Sequence, residues 1–306
     1  MTTSPFNAPI SRRTLFRAAA VAVTAGVAVQ AAPKAFALGP VLGTVIDYAA
    51  GVPSAQSIKN AGHLGAVRYV SDRRPGTESW MVGKPVTLRE TQAFAALGLQ
   101  TASVYQFGKA ETADWKRGAA GAAIHAPKAI ALHVAAGGPT NRPIYVAIDD
   151  NPSLSEFNGQ ISPYLRAFEV ALHAAGYQMG IYGNYNVVQW ATEDGLGEFF
   201  WMHNWGSGGK IHPRTTIHQI RIDKDTLDGV GIDINNVYAA DWGQWTPGVA
   251  LPSIPGNSGG SNSDYVNPGT TPPPAAGSSL PAAGQAPTAE QINQGAQLLN
   301  VLSSMG

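Results

Sequence analysis

The sequence predicts an α/β fold, an irregular (β/α)8 TIM-type barrel over residues 39–247, from three observations. Eight short runs rich in β-branched and aromatic residues recur along this part of the 306-residue chain. The first runs alternate with longer stretches of helical periodicity, and this order favours parallel strand pairing through right-handed crossovers. Polar residues collect where the runs end, at the face where such barrels hold their reacting groups.

The predicted strands and helices alternate up to residue 204. We expect strands over residues 44–48, 66–71, 101–106, 144–149, 179–183, 199–204, 217–222 and 231–235, and helices over 54–62, 87–97, 113–136, 161–175 and 184–194. The last two connections, 205–216 and 223–230, are too short for a crossover helix, so the barrel should be irregular in its last quarter. An open doubly wound sheet is the alternative, although Asp47-Tyr48 stands where its Gly-x-Gly-x-x-Gly turn would follow the first strand.

The N-terminal residues 1–37 are expected to be a twin-arginine signal peptide. Arg12-Arg13 is followed by a mildly apolar stretch over residues 18–32 and by the small-x-small triplet at 35–37. A membrane anchor is the alternative, but this stretch is shorter than the roughly 20 residues of a spanning helix. We therefore expect export to the cell envelope or the exterior, with no stable membrane span after signal removal.

Composition excludes several classes of function. Lys plus Arg and Asp plus Glu both number 20, and the signal removes four basic residues and no acid, so a nucleic-acid partner is not expected. The absence of Cys excludes disulfides and thiol chemistry. His203, His212 and His218 fit no zinc spacing, and no Gly-x-Ser-x-Gly elbow occurs, so we expect neither a metal nor another cofactor.

The C-terminal part differs in composition from the barrel. Residues 248–287 are rich in Pro, Gly and Ser and contain no Lys or Arg, which predicts a flexible linker. Residues 288–303 place Ile292, Ala296 and Leu299 at helical spacing, which predicts a short amphipathic helix. A lone helix of this length is marginal in water, so a protein partner for it is one interpretation.

The ends of the predicted strands carry the candidate site. The candidate catalytic residues are Asp47, Asp149, Asp150 and Asp233. The candidate substrate-binding residues are Arg68, Tyr69, Tyr105, Gln106, Tyr182, Asn204, Trp205, Gln219 and Asn235. Two carboxyl groups with separated pKa values amid aromatic and amide side chains suit glycosidic-bond hydrolysis. A structural interpretation remains open, because residues 149–152 are also a good turn sequence and Asp47 could pair with Arg68.

Four stretches of the chain, residues 43–51, 68–76, 147–152 and 203–207, resemble one known family. Together with the signal motif they are similar to the twin-arginine-exported, glycoside-hydrolase-like barrel family of mycobacteria and relatives. The resemblance extends to about Trp245 and implies a TIM-type barrel distantly related to the lysozymes of glycoside hydrolase family 25, acting in or on the cell envelope.

The resemblance also implies one departure at the site. The lysozyme-like enzymes carry an acid Glu at the position that Asn151 occupies here, and an amide cannot act as a general acid. Either Asp149 or Asp150 has taken that role, or the site holds glycan without cutting it. Two functions therefore stay open: a hydrolase of peptidoglycan or a related glycan, and a non-catalytic glycan-binding module of the envelope.

Overall fold

A computed structural model of the protein describes residues 38–248. Its eight strands are β1 Gly43–Asp47, β2 Gly65–Tyr69, β3 Gln100–Tyr105, β4 Pro143–Ala147, β5 Gln178–Gly183, β6 Phe199–His203, β7 Ile217–Leu227 and β8 Val230–Val237. They form one closed barrel in sequence order, with β8 returning to β1. The expectations for residues 1–37 and 288–303, and for all of 248–287 but Gly248, lie outside the described residues.

The predicted TIM-type barrel is wrong. Strands β1 to β7 pair in parallel with their neighbours, but β8 is antiparallel to both β7 and β1. Only Asp228 and Gly229 separate β7 from β8, and both have positive φ, so the chain reverses in a tight hairpin turn. No regular helix connects β6 to β7 within this part of the structure. The fold is thus an eight-stranded mixed barrel of the α/β class.

Five longer helices pack outside the barrel. They are α1 Ala55–Asn60, α2 Leu88–Ala96, α3 Gly118–Ala135, α4 Ser162–Ala174 and α5 Tyr185–Glu193. Ser54, Thr87 and Asn184 cap α1, α2 and α5 by accepting a hydrogen bond from a backbone N–H in the first turn. In the described part of the chain, no helix combines the length and apolar character needed to cross a membrane.

The barrel separates an interior apolar cluster from two outer ones. Each strand places alternate side chains inward, and every strand contributes to an interior cluster that includes Val45, Tyr145 and Trp201. A larger cluster lies between the outer face of the sheet and helices α3, α4 and α5. Because the interior is filled with side chains, a ligand site must lie at an end of the barrel.

Candidate active site

A cleft of about 320 Å³ opens where β1 to β6 end, beside residues 219–223 of β7 and the start of β8. Three of the four candidate carboxylates, Asp47, Asp149 and Asp233, line this cleft. Tyr69, Gln106, Tyr182, Trp205 and Gln219 line it too. The antiparallel direction of β8 does not move Asp233 away, because Asp233 stands near the start of the strand and faces Asp47 in register.

Asp47 and Asp233 share one hydrogen-bond donor. Gln219 Nε2 donates to Asp47 Oδ2 at 3.2 Å and to Asp233 Oδ2 at 2.9 Å. The two carboxylate oxygens are therefore no farther apart than the sum of these distances. Asn235 Nδ2 donates to the same Asp47 oxygen at 2.8 Å, and the Asp223 backbone N–H donates to Asp233 Oδ1 at 2.8 Å.

Burial sets these two carboxyl groups apart from ordinary aspartates. Burial, followed by the charge of Asp233, raises the pKa of Asp47 from 3.8 to about 8, although Asn235 and Gln219 oppose the shift. Burial also raises the pKa of Asp233 to about 6, while the backbone N–H of Asp223 opposes that shift. Near neutral pH the pair therefore favours one protonated and one ionised carboxyl, with the proton on Asp47.

Asp149 occupies another part of the cleft. Its Oδ2 accepts a hydrogen bond from Gln106 Nε2 at 3.0 Å and lies 3.1 Å from Lys109 Nζ. Both partners come from the end of β3 or the loop after it, so neighbouring strand ends fix this carboxylate. Within residues 38–248, no group of three or more His, Asp or Glu side chains could hold a metal ion.

Asp150 faces away from Asp47 and Asp233, into a separate pocket of about 160 Å³. Its Oδ2 accepts a hydrogen bond from Trp115 Nε1 at 3.1 Å, and burial raises its pKa. Asn151 lines the same pocket, and its side-chain oxygen accepts a hydrogen bond from Asn184 Nδ2 at 2.7 Å. The two residues after Asp149 are thus directed to the neighbouring pocket.

The aromatic side chains of the cleft differ in exposure. Tyr182 is buried and donates from its hydroxyl to Gln219 Oε1 at 2.8 Å, which fixes the amide that bridges the two aspartates. Trp80 and Trp205 line the cleft with 48% and 37% of their surface exposed, so both can contact a ligand. Trp205 also stacks on His203 with ring centroids 4.0 Å apart.

Four of the residues predicted to bind substrate are outside the lining of this cleft. Arg68 is fully buried and pairs with Glu90 at 2.5 Å. Tyr105 lies in the outer core, with its hydroxyl 2.7 Å from His125 Nδ1. Asn235 is buried beneath Asp47. Asn204 is exposed and donates to the Ile220 carbonyl. Arg68, Tyr105 and Asn235 therefore support neighbouring groups in the structure.

Sequence analysis missed three cations of the cleft, Arg74, Lys84 and Lys109. Lys109 follows the end of β3 by four residues, so its position near a strand end was an available signal. Arg74 and Lys84 belong to the long loop between β2 and α2, where no periodicity indicates which side chains turn inward.

Comparisons with known proteins agree with this architecture. The Rv2525c-like, glycoside hydrolase-like domain family matches residues 56–237. Rv2525c of Mycobacterium tuberculosis (strain ATCC 25618 / H37Rv), provisionally described as a peptidoglycan hydrolase, is 47% identical over 241 residues, which cover 77% of this chain and 99% of that protein.

Crystal structures of the Tat-secreted Rv2525c of Mycobacterium tuberculosis are also similar. The complex with L-tartrate has a TM-score of 0.64 and 49% identity over 67% of this chain and 100% of that chain. The complex with HEPES has a TM-score of 0.63 and 48% identity over 67% and 99%. These matches confirm the family resemblance that the sequence stretches indicate: the chain belongs to the Rv2525c-like, glycoside hydrolase-like domain family.

Proposed function

We propose that this protein is exported by the twin-arginine pathway and hydrolyses a cell-envelope polysaccharide, peptidoglycan or a related glycan. Two similarities support the proposal. The relative Rv2525c is Tat-secreted, and it is provisionally described as a peptidoglycan hydrolase. The motif around Arg12-Arg13 agrees with the same route of export.

The observation that carries the proposal is the convergence of Asp47, Asp149 and Asp233 on one cleft, where the pKa of Asp47 is raised to about 8 and that of Asp233 to about 6. Glycosidic-bond hydrolysis needs one carboxylic acid that protonates the leaving oxygen and one carboxylate that attacks the sugar or activates water. Asp47 is protonated near neutral pH and is the candidate acid. Asp233 is the candidate nucleophile or stabiliser of positive charge, and Asp149 is a second candidate for that role.

The spacing of the pair favours one stereochemical outcome. Retaining enzymes hold their carboxyl groups about 5–5.5 Å apart, and inverting enzymes about 6.5–9.5 Å apart. Gln219 Nε2 bonds one oxygen of each carboxyl group, at 3.2 and 2.9 Å, so these two oxygens can be no farther apart than the sum of those distances, which is below the inverting range. We therefore propose retention for a reaction that uses Asp47 and Asp233.

The test is release of new reducing ends from purified peptidoglycan by residues 38–306. We expect activity to rise as Asp233 ionises near pH 6 and to fall as Asp47 ionises near pH 8, which gives a bell-shaped profile. Asp47→Asn and Asp233→Asn should each lower the rate by about 100-fold or more. Asp72→Asn is the control, because Asp72 pairs with Lys128 outside the cleft lining. Unchanged rates in both cleft variants would exclude these two residues as acid and base.

One observation favours a second function, a non-catalytic glycan-binding module. Asn151, which stands where the resembling lysozymes have their acid, is held by Asn184 and lines the neighbouring pocket. A cleft without a working acid would still bind sugar through Trp80 and Trp205. Binding of glycan without product from the wild-type protein at any pH between 5 and 9 would establish the module and reject the hydrolase.

A further inference from the structure

Two cations on the β2–α2 side of the cleft have no acidic partner. Within residues 38–248, no hydrogen bond or ion pair engages the Arg74 guanidinium, and no carboxylate lies within 4.0 Å of Lys84 Nζ. The third cation of the cleft, Lys109, differs because it already pairs with Asp149. Arg74 is half-buried and Lys84 is 3% exposed, so water solvates neither group fully.

The Lys84 ammonium is only partly satisfied by the protein. One N–H donates to the Gln106 carbonyl at 3.0 Å, and Nζ lies 3.8 Å from the centroid of the Tyr69 ring. An ammonium has three N–H donors, so at least one remains for a ligand. Burial, followed by the charge of Arg74, lowers the pKa of Lys84 from 10.5 to about 7, while Asp114 and Asp149 oppose the shift and Arg68 adds to it. The two cations are thus close enough to repel each other.

The loop that carries both cations is held in one conformation by other arginines. Arg73 donates to the carbonyls of Lys84, Glu78 and Val82. Arg68 Nη2 donates to the Gly83 carbonyl at 2.6 Å. These bonds satisfy the loop backbone without using Arg74 or the Lys84 ammonium, so the two charges are positioned before any ligand binds.

Two like charges in a partly desolvated cleft are unfavourable unless an anion joins them. A carboxylate fits this position well, since a guanidinium can bind it with two parallel N–H bonds and an ammonium can add a third. A doubly charged phosphate fits less well, because Asp149 and Asp233 line the same cleft and would repel it more strongly.

We infer that Arg74 and Lys84 form a subsite for a carboxylate carried by a sugar of the glycan. This inference rests on the proposed function and narrows the substrate to acidic glycans. The carboxylate can come from a uronic acid ring or from an ether-linked substituent of an amino sugar. The recognition chemistry is the same for both sources, so the test includes a probe for each.

The experiment is a protein-observed NMR titration with two matched pairs of sugars. Methyl glucuronide is compared with methyl glucoside, and N-acetylmuramic acid with N-acetylglucosamine. We expect the acidic member of at least one pair to bind on the order of tenfold more tightly than its neutral partner. This preference should weaken as salt rises, because a charged contact is screened.

Substitutions of the two cations test whether they cause the preference for acidic sugars. Arg74→Gln and Lys84→Met should each remove most of the acidic preference and leave neutral-sugar binding in place. Arg89→Gln and Lys59→Met are matched controls, because both residues are exposed and neither lines the cleft. Free acetate should bind far more weakly than the acidic sugars, since the inference requires the sugar ring as well.

The outcomes separate this inference from the proposed function. Equal binding of acidic and neutral sugars, or a preference that survives both cleft variants, would overturn the subsite and leave glycan binding intact. If neither pair perturbs cleft resonances and peptidoglycan fragments do not bind either, both proposals fail. Acetate binding as tightly as the acidic sugars would reduce the site to a simple anion site and would also overturn the inference.

Discussion

At the scale of single residues, the bridge from Gln219 to Asp47 and Asp233 explains how two carboxyl groups tolerate each other. An unpartnered buried carboxylate is costly, and two such charges side by side are worse. Here Tyr182 fixes the Gln219 amide, and its Nε2 donates to both carboxyl groups. Retention of the proton by Asp47 removes most of the remaining repulsion.

Asp47→Asn should make the stability of the protein less dependent on pH. The pKa of Asp47 is raised from 3.8 to about 8 by folding, so the folded protein holds a proton that the unfolded chain releases. Its contribution to the free energy of unfolding is therefore complete below about pH 4. That contribution falls by an amount on the order of several kcal/mol as pH rises toward 8. An amide resembles the protonated acid and still accepts from Asn235.

Urea unfolding at pH 4, 6 and 8 tests this expectation. The wild type should lose stability over this interval more steeply than Asp47→Asn, and the variant should be the more stable protein at pH 8. Asp72→Asn removes an aspartate whose side chain is 38% exposed, and should follow the wild-type curve. Parallel curves for wild type and Asp47→Asn would show that Asp47 ionises normally.

Arg68 acts at the same scale as a support of the cleft wall. Its guanidinium binds Glu90 and the carbonyls of Tyr48 and Gly83, which belong to two loops beside the cleft. Glu90→Leu would leave the Arg68 charge buried and unpaired, with an expected loss of about 3–5 kcal/mol in urea unfolding. The double variant Arg68→Met with Glu90→Leu should recover part of that loss. No recovery would indicate that the bonds to the two carbonyls, rather than the charge pair, matter most.

At the scale of elements, local pattern predicted the strands and helices well. The eight strands and five longer helices were all expected, and most ends differ by one or two residues, since β-branched runs and apolar periodicity are local signals. Strand direction at the end of the barrel was not predicted. Asp228-Gly229 is a strong hairpin signal, but treating residues 223–230 as one connection concealed that β7 continues to Leu227.

The tip of the β7–β8 hairpin is fastened to α1. Asp228 accepts hydrogen bonds from the Ser54 backbone N–H at 2.8 Å and from Ser57 Oγ at 2.7 Å. These bonds, with that of Ser57 first, lower the pKa of Asp228, so the fastening is present at neutral pH and is lost as pH falls through that lowered pKa. Because the hairpin carries Asp233, its tip helps to place a cleft carboxylate.

Asp228→Ala should loosen the hairpin without unfolding the barrel. Amide hydrogen exchange over residues 222–232 should become faster, while exchange in β3 and β4 should not change. Lys224→Ala is the control on the same hairpin, since Lys224 is exposed. Unchanged exchange at the tip would show that strand pairing alone holds it in place.

At the scale of the whole molecule, part of the lining of the cleft could be predicted because barrel closure brings strand ends together. Asp47, Asp149 and Asp233 are distant in sequence, yet their strand-end positions were enough to expect one rim. The orientations of two other side chains, Arg68 and Lys84, depend on long-range packing. Nothing local indicated that Arg68 would face outward to Glu90, or that Lys84 from an irregular loop would turn into the cleft.

The barrel core also includes residues that follow the last strand. Trp242 and Trp245 follow β8 and are almost fully buried. Trp245 pairs with Thr101 through backbone bonds of 3.0 and 2.7 Å, and its Nε1 donates to Ser103 Oγ at 3.1 Å. The Trp242 carbonyl accepts from Tyr145 OH at 2.7 Å. The segment after the last strand is therefore part of the core.

Two shortened chains that share one N-terminus test how much this segment contributes to the stability of the barrel. Residues 38–247 should unfold cooperatively at the same urea midpoint as residues 38–306, because every core contact described above is kept. Residues 38–240 lose both tryptophans, and each large buried aromatic contributes about 3–5 kcal/mol, so this chain should not show a cooperative transition by tyrosine fluorescence or circular dichroism. A stable 38–240 chain would mean that the strands close without the Trp242 and Trp245 contacts. A shifted midpoint for 38–247 would mean that residues beyond 247 contribute to the stability of the barrel.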